Sequence, residues 1–556
     1  MEKMDFDYII IGSGFGGSVA AMRLAQKGYR VAVIEKGKRW YPSDFPSSNM
    51  FFYDYLWFPK LFLKGFQKLT LLKDAMILSG VGVGGGSLVY AANLYVPEDE
   101  FFSNEIMQKL GGKKSMMPFY RVAEKMLGTD LNPKITIGDK LLRRTASEFG
   151  TEHSFEHARA GIFFGEENKT VADPYFKGDG PKRMGCNFCG GCMVGCRYNA
   201  KNSLDKNYLY LAEKLGATVI PETEAVRITP LNEDGSEGYS VKTKKSTLPI
   251  SFSSREYTSG GIVFAAGTLG TMDLLLRMKK KKYLKHLSPA LGFQVRTNSE
   301  SLLSVQSPGN NIDFSKGIAI SSRVHVEPGT SIEAVNYPAG SNLMGMLLTV
   351  STEDGGLIPR PIKFIFNALT HPFQFFKTIF PFGFARKNLI LLVMQTRNNY
   401  FRLDMKRRLL FPFSMKLVSR MGKNNKIPSY IPVGYEFAKR LARRIEGKSR
   451  TALPEAALNI SATAHILGGC CMAENRREGV IDTQNRVFGY QNMIVCDGSV
   501  IPANPGVNPS LSITAFAERA MSIIPAHQGK KPHIFGFEKN WDSAKWISRK
   551  RKSAQR

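Results

Sequence analysis

A short apolar run that ends in glycine and leads into a segment of helical spacing recurs along the chain. At the front, "DYIIIGSGFGGSVAAMRLAQKGYRVAVIEKG" reads as strand, glycine turn, helix and strand. Tyr8 to Ile11 form a continuous apolar run, the pattern of a parallel strand buried on both faces. Farther along, "GGIVFAAGTLGTMDLLLR" (Gly260 to Arg277) predicts a second buried strand ending at Ala265-Ala266-Gly267, then a helix. "YQNMIVCDGSVIPANPGVNPSLSITAFAERA" (Tyr490 to Ala520) predicts a third strand, the pair Asp497-Gly498, a loop and a helix. These pieces, scattered over the sequence, predict one nucleotide-binding α/β domain with other material inserted between its parts.

The first of these turns carries chemistry. Gly12, Gly14 and Gly17 complete G-x-G-x-x-G. The first glycine permits the tight turn, the second lets a pyrophosphate approach the backbone, and the third lets helix and strand pack closely. The helix N-terminus then faces the phosphates. The second strand, "VAVIE", ends in Glu35, placed to hydrogen-bond a ribose hydroxyl. These residues do not separate FAD from NAD, but an acid at this strand end argues against NADP. A further glycine cluster, "SGVGVGGGSLVYAANLYVP" (Ser79 to Pro97), is expected to lie against the same cofactor.

Taken together, these segments resemble the glucose–methanol–choline (GMC) oxidoreductase superfamily of flavoenzymes, and within it the cholesterol-oxidase-like members. The resemblance covers most of the chain. It is carried by the glycine fingerprint with Glu35, by "GVGVGGGSLV", by "HILGGC" followed by "GVNPSLSITAFAERA", and by "IEAVNYPAG". It implies an α/β fold: a Rossmann-like FAD-binding domain with an inserted α+β substrate-binding domain built on a mostly antiparallel sheet. The expected division gives residues 1–115, 195–300 and 455–528 to the FAD side. Residues 116–194 and 301–454 go to the substrate side, and 529–556 form a basic C-terminal tail.

Residue by residue, the resemblance implies that Gly12, Gly14, Gly17 and Glu35 hold the ADP half of FAD. Gly86 and the loop through Asn93 would lie near the isoalloxazine, and Val226 would meet the adenine through its backbone. Asp497, Gly498 and Ser510 would line the ribityl and ring ends. His465 and Asn508 match the catalytic histidine and asparagine, and Glu333 the glutamate base. The implied reaction oxidises a secondary alcohol, a sterol or another lipophilic one, to a ketone with hydride transfer to flavin; oxygen or another acceptor would take the electrons. In steroid-oxidising relatives such a carboxylate can also move the ring double bond. Histidine suits the proton because its unperturbed pKa of ~6.5 leaves it poised near neutrality. Tyr90 stands where the family often has Asn, Ile466 where proline is common, and Ser510 where an aromatic residue is common.

Charge and cysteine change the picture at two places. The formal charge of +29 favours polyanions or anionic membrane surfaces. Between Gly355 and Leu403 there are seven Lys or Arg residues, no acid, and many phenylalanines. That composition predicts either an interfacial helix on anionic lipid or a lid burying its phenylalanines inside. No stacking module or reading motif accompanies the charge, so nucleic acid is not an expected partner. The N-terminus lacks signal-peptide features and no apolar run reaches ~18 residues, so a cytoplasmic protein with peripheral membrane contact is expected. The run "CNFCGGCMVGC" (Cys186 to Cys196) has C-x2-C-x2-C-x3-C spacing, that of a bacterial iron–sulfur run. Arg197, not proline, follows it, and no second run exists. Plain thiols with no metal are expected. A relay cluster in a sugar or glycoside dehydrogenase, and a lipid-binding flavoprotein without turnover, are the alternatives.

Overall fold

The computed structural model describes residues 4–248, 253–354, 357–379, 382–407, 415–422 and 424–539. The tail beyond 539, and positions 355, 356, 380 and 381 of the aromatic segment, lie outside the described residues.

The three apolar runs meet in one seven-stranded sheet. Its order is Thr218–Ile220, Val31–Ile34, Phe6–Ile11, Ser254–Phe264, Tyr239–Lys245 and Thr223–Pro230, with Met493–Val495 also pairing Ser254–Phe264. The long strand Ser254–Phe264 joins two kinds of pairing. Its first half runs antiparallel to Tyr239–Lys245, while its second half runs parallel to Phe6–Ile11 and to Met493–Val495. The parallel strands are covered on both faces, which is why they read as unbroken apolar runs. The helix Phe15–Gln26 is buried along its whole length and packs against the helices Ser510–Ile523 and Tyr208–Lys214.

A buried polar network closes this half. Arg23 donates to both carboxylate oxygens of Glu518 at 2.8 Å and to Glu538 at 2.6 Å, and Tyr208 donates to Glu518 at 2.7 Å. Lys27 caps the carbonyls of Met521 and Ile524; burial pulls its ammonium down to about 7.

The second sheet is antiparallel throughout, in the order Leu348–Val350, Lys448–Ala452, Ser301–Gln306, Asn388–Gln395, Thr330–Val335, Ile320–Glu327 and Glu156–His157. Side chains alternate between its faces. Leu303, Val305, Leu391, Val393 and Ile332 join a core with the helices Ile137–Ser147 and Pro432–Arg444. Leu302, Ile320, Val335, Ile390 and Leu392 face a cavity on the other side. The alternation puts Glu333 on the same face as Val335.

Two elements cut across the expected division, and one expected segment divides. The helix Gly112–Leu127 runs through the division at 115/116, and its buried side packs on Ser510–Ile523, so it belongs with the nucleotide-side core. The hairpin Phe401–Arg407 with Met415–Met421 joins that core too, through Phe401, Leu403 and Met405. The aromatic segment is not one unit. Arg360–Thr370 and Pro372–Ile379 are helices, but Asn388–Gln395 is a fully buried central strand. Its apolar run serves the sheet core and not the surface.

Candidate active site

A cavity of about 730 Å³ runs between the two sheets. One arm is lined by glycine turns and the other by aliphatic side chains.

The glycine arm starts where Phe6–Ile11 ends. Gly12 has φ of 102°, and a Cβ there would lie 2.4 Å from the Ala265 carbonyl oxygen, so only glycine fits. Gly17 admits no side chain either, since a Cβ would meet the Gly12 carbonyl oxygen at 2.0 Å. Gly14 differs: a Cβ would find nothing within 4 Å. It precedes the helix Phe15–Gln26 with no side chain capping that helix end, which leaves an N-terminus open to phosphate.

Glu35 lines the cavity, and its carboxylate is also a clamp. Oε2 accepts from Ser13 N at 3.1 Å and Ser13 Oγ at 2.8 Å, while Oε1 accepts from Gly37 N at 2.8 Å and Gly82 N at 3.3 Å. Ser13 Oγ in turn accepts from Gly84 N. The two glycine loops are thereby tied together, and a ribose hydroxyl would share an oxygen already in use. Gly86 and the buried Asn93 line the cavity on the second loop. Val226 lies at the residue that the pairing of Thr223–Pro230 with Tyr239–Lys245 skips. This bulge frees its backbone from the ladder where the cavity passes.

Asp497 and Gly498 follow the strand Met493–Val495, and Ser510 opens the helix Ser510–Ile523; all three line the cavity. Asp497 is fixed by Ser499 N at 2.9 Å and by Ser499 Oγ and Thr271 Oγ1. Burial pushes its carboxyl above the ordinary range, against those bonds.

His465 and Asn508 line the same cavity. Asn508 Nδ2 donates to Glu333 Oε2 at 3.2 Å. Glu333 stands behind it, fully buried, and burial raises its carboxyl to about 7 although Asn508, Arg323 and His465 favour the charged form. Asn508 Oδ1 and Glu333 Oε1 are buried without a protein partner. Nδ1 of His465 hydrogen-bonds Oε1 of Glu300, a fully buried carboxylate. Burial alone would lower the imidazole's pKa, but Glu300 first and Glu333 second more than offset it, so the value rises.

Glu300 has no counterpart among the residues expected from sequence. It sits in "RTNSESLL", a polar stretch with no motif to mark it. Only the fold brings it under His465.

The cysteine run lies beside the cavity, which Met193 lines. Cys186 and Cys192 are buried, Cys189 and Cys196 partly so. Burial pushes Cys192 up to about 12 and raises Cys186 and Cys189 as well, so these groups are neutral thiols at pH 7. Among the described residues, no three His, Cys, Asp or Glu side chains are placed to hold a metal ion. Lys201 ties this loop to the second glycine loop, donating to the carbonyls of Cys192 at 2.6 Å and Leu88 at 2.9 Å.

The Rossmann-type turn, the open helix end and the bulged strand fit a dinucleotide cofactor. With a half-buried histidine and a buried carboxylate beside an apolar chamber, they define a cofactor-dependent oxidoreductase.

Comparison makes the class specific. The profile of the GMC oxidoreductase family matches residues 180–279 and 417–517, and that of the NAD(P)-binding Rossmann-like domain matches 10–40. A cholesterol oxidase of Acinetobacter baumannii is 44% identical over 533 residues, covering 95% of each chain. A cholesterol oxidase of Mycobacterium tuberculosis is 41% identical, covering 94% of this chain and 92% of its own. Among solved structures, pyridoxine 4-oxidase from Mesorbium loti shares the fold, with a TM-score of 0.57, 14% identity, and coverage of 93% and 98%. The chain belongs to the GMC oxidoreductase family. It is an FAD-dependent oxidoreductase acting on CH–OH groups.

Proposed function

We propose that this enzyme oxidises the hydroxyl of a sterol, or of another lipophilic secondary alcohol, to a ketone, with oxygen as electron acceptor. The observation that carries the reading is the apolar arm of the cavity. Met76, Leu78, Val335, Met344, Leu347 and Leu348 line the same space as His465 and Asn508, and a rigid apolar ring system buries favourably against such a wall. Both relatives quoted above are named cholesterol oxidases.

In this reading Gly12, Gly14, Gly17, Glu35, Gly86, Asn93, Val226, Asp497, Gly498 and Ser510 hold FAD. The bound flavin supplies the acceptor for the substrate's hydride. The protein's own residues handle the rest. His465 takes the hydroxyl proton at Nε2, since Nδ1 is committed to Glu300. Asn508 spends Nδ2 on Glu333, which leaves Oδ1 as the open acceptor at the cavity wall. Glu333, titrating near 7, serves as the second proton-handling group.

A peripheral encounter with anionic membrane completes the proposal. The helices Arg360–Thr370 and Pro372–Ile379 present Phe366 at 65% and Phe373 at 84% exposure, with Ile362, Ile365 and Leu369 also exposed. The segment carries bases and no acid, which suits lipid of negative charge. Among the described residues no helix is long and apolar enough to cross a membrane.

The test is anaerobic mixing with a detergent-dispersed 3β-hydroxysteroid. The flavin absorbance should bleach, and admitting air should restore it with release of peroxide. His465→Ala should keep its flavin spectrum and lose at least about 100-fold in bleaching rate. An unbleached flavin with sterols, but rapid bleaching with a sugar, would refute the substrate assignment. For the membrane contact, Phe366→Ser with Phe373→Ser should reduce sedimentation with phosphatidylserine vesicles and leave turnover of detergent-dispersed substrate unchanged.

A further inference from the structure

Four consecutive polar residues, Thr297 to Glu300, are buried between the strands Phe293–Arg296 and Ser301–Gln306. Asn298 and Ser299 both hold left-handed backbone, with φ of 58° and 49°. Asparagine tolerates that region and serine rarely visits it. Strain of this kind persists where surrounding contacts over-determine it, and it gathers at functional sites.

The contacts here are specific. Glu300 Oε1 meets Nδ1 of His465 and accepts from Asn298 Nδ2 at 3.2 Å. Its Oε2 accepts from Thr463 Oγ1 at 2.7 Å and from Ala464 N at 3.1 Å. One carboxylate therefore grips the imidazole and the backbone immediately before it. Asn298 reaches the other side of the site. Its N donates to Asn504 Oδ1 at 3.0 Å, its Oδ1 accepts from Gly506 N at 2.9 Å, and its Nδ2 donates to Val507 O at 3.1 Å. Those partners form the loop that delivers Asn508. A single strained turn thus holds the approaches to both His465 and Asn508.

We propose that Glu300 is the positioning residue of this active site: it fixes the His465 ring so that Nε2 faces the cavity, and it stabilises the imidazolium while the substrate's proton resides there. The inference rests on the reading of His465 as proton acceptor. The charged groups acting on His465 are Glu300, from the turn, and Glu333, from the strand Thr330–Val335. Removing one anion leaves a less basic imidazole, so the pH at which His465 becomes available as a base must fall along with its proton affinity.

The experiment uses flavin-loaded Glu300→Gln, Glu300→Asp, His465→Ala and the double variant Glu300→Gln/His465→Ala. Flavin content and melting temperature are recorded beside the rate of anaerobic flavin bleaching by a 3β-hydroxysteroid from pH 5 to 9. Glu300→Gln should bleach about 100-fold more slowly at pH 8, with its acid limb displaced to lower pH. The same change should slow His465→Ala no further, because residues acting as one unit are not additive. Glu300→Asp keeps the charge and should recover part of the rate.

A Glu300→Gln enzyme with wild-type rate and an unmoved acid limb would overturn the proposal. So would a loss that adds in full on top of His465→Ala. If the Gln variant fails to retain flavin, Glu300→Asp decides, since a one-methylene retraction must still slow bleaching at least about 10-fold; a wild-type rate refutes it. If His465→Ala bleaches at the wild-type rate, the reading of His465 itself is wrong. If His465→Ala is inert while Glu300→Gln is normal, only the role of Glu300 falls.

Discussion

Glu333 is a buried carboxyl held at about 7 against an ordinary value of 4.5, and this makes it a source of instability with a defined pH signature. Between those two values the unfolded chain has released the proton and the folded chain retains it. The unfolded state then binds fewer protons, so stability falls as pH rises through that window and levels off above about 7. Carrying a carboxyl over that interval amounts to about 3 kcal/mol at roughly 1.36 kcal/mol per pH unit. Glu333→Gln removes the titration. The buried amide imposes its own penalty, but that penalty does not vary with pH, so the difference between variant and wild type follows the carboxyl together with the smaller loss of its pull on His465. Glu455, also raised to about 7 by burial, titrates in both proteins and cancels. For 556 residues an unfolding entropy of about 1.2 kcal/mol/K follows, so the melting temperature of the variant relative to wild type should climb by about 2–3 °C from pH 4.5 to 8. Differential scanning calorimetry at half-unit steps reads this directly. A difference that stays flat across the window, or that shrinks, would show that Glu333 is ionised in the folded protein and that burial does not control it.

Other perturbations have equally definite outcomes. Gly12→Ala should fail to fold or melt far lower, because its Cβ has no room beside Ala265, whereas Gly14→Ala should keep its melting temperature without cofactor yet bind FAD more weakly, as measured by flavin titration. Arg360→Ala strips buried donors at 2.9 Å from the Thr352 carbonyl and at 2.6 Å from that of Ser429. It should destabilise by at least about 2 kcal/mol in denaturant melts. Cys186 and Cys192, buried and neutral, should react with iodoacetamide at pH 7 far more slowly in the native protein than after denaturation, as seen by mass spectrometry.

What the sequence makes legible here follows from locality. The strand–turn–helix around Gly12 is complete within about 30 residues, so its apolar run, glycines and terminal acid can be read together. Val226 could be placed at the cavity by resemblance, but the bulge that frees its backbone depends on a register with Tyr239–Lys245 that no local pattern encodes. Glu300 is farther out of reach, since it lies 165 positions from His465 and in an unremarkable polar stretch. The strand Asn388–Gln395 is masked for a related reason within the longer segment 355–403, whose composition predicts an interfacial or lid helix. A continuous apolar strand and a greasy surface helix share composition, and only pairing on both edges tells them apart.

The Arg23 network also bears on how the chain comes to be folded. Its partners Glu518 and Glu538 lie 495 and 515 residues downstream, and the strand Met493–Val495 that completes the parallel sheet arrives equally late. At a synthesis rate of about 5–20 residues per second, the first helix emerges and then waits on the order of half a minute or more for the groups that neutralise its buried guanidinium. Through that interval the N-terminal apolar run and an unpaired arginine are held together without their cover. Emergence of the segment from Met493 to Glu538, rather than of the first unit, is the moment at which the cofactor cradle can close, and a ribosome stalled before residue 490 would carry a chain unable to retain flavin.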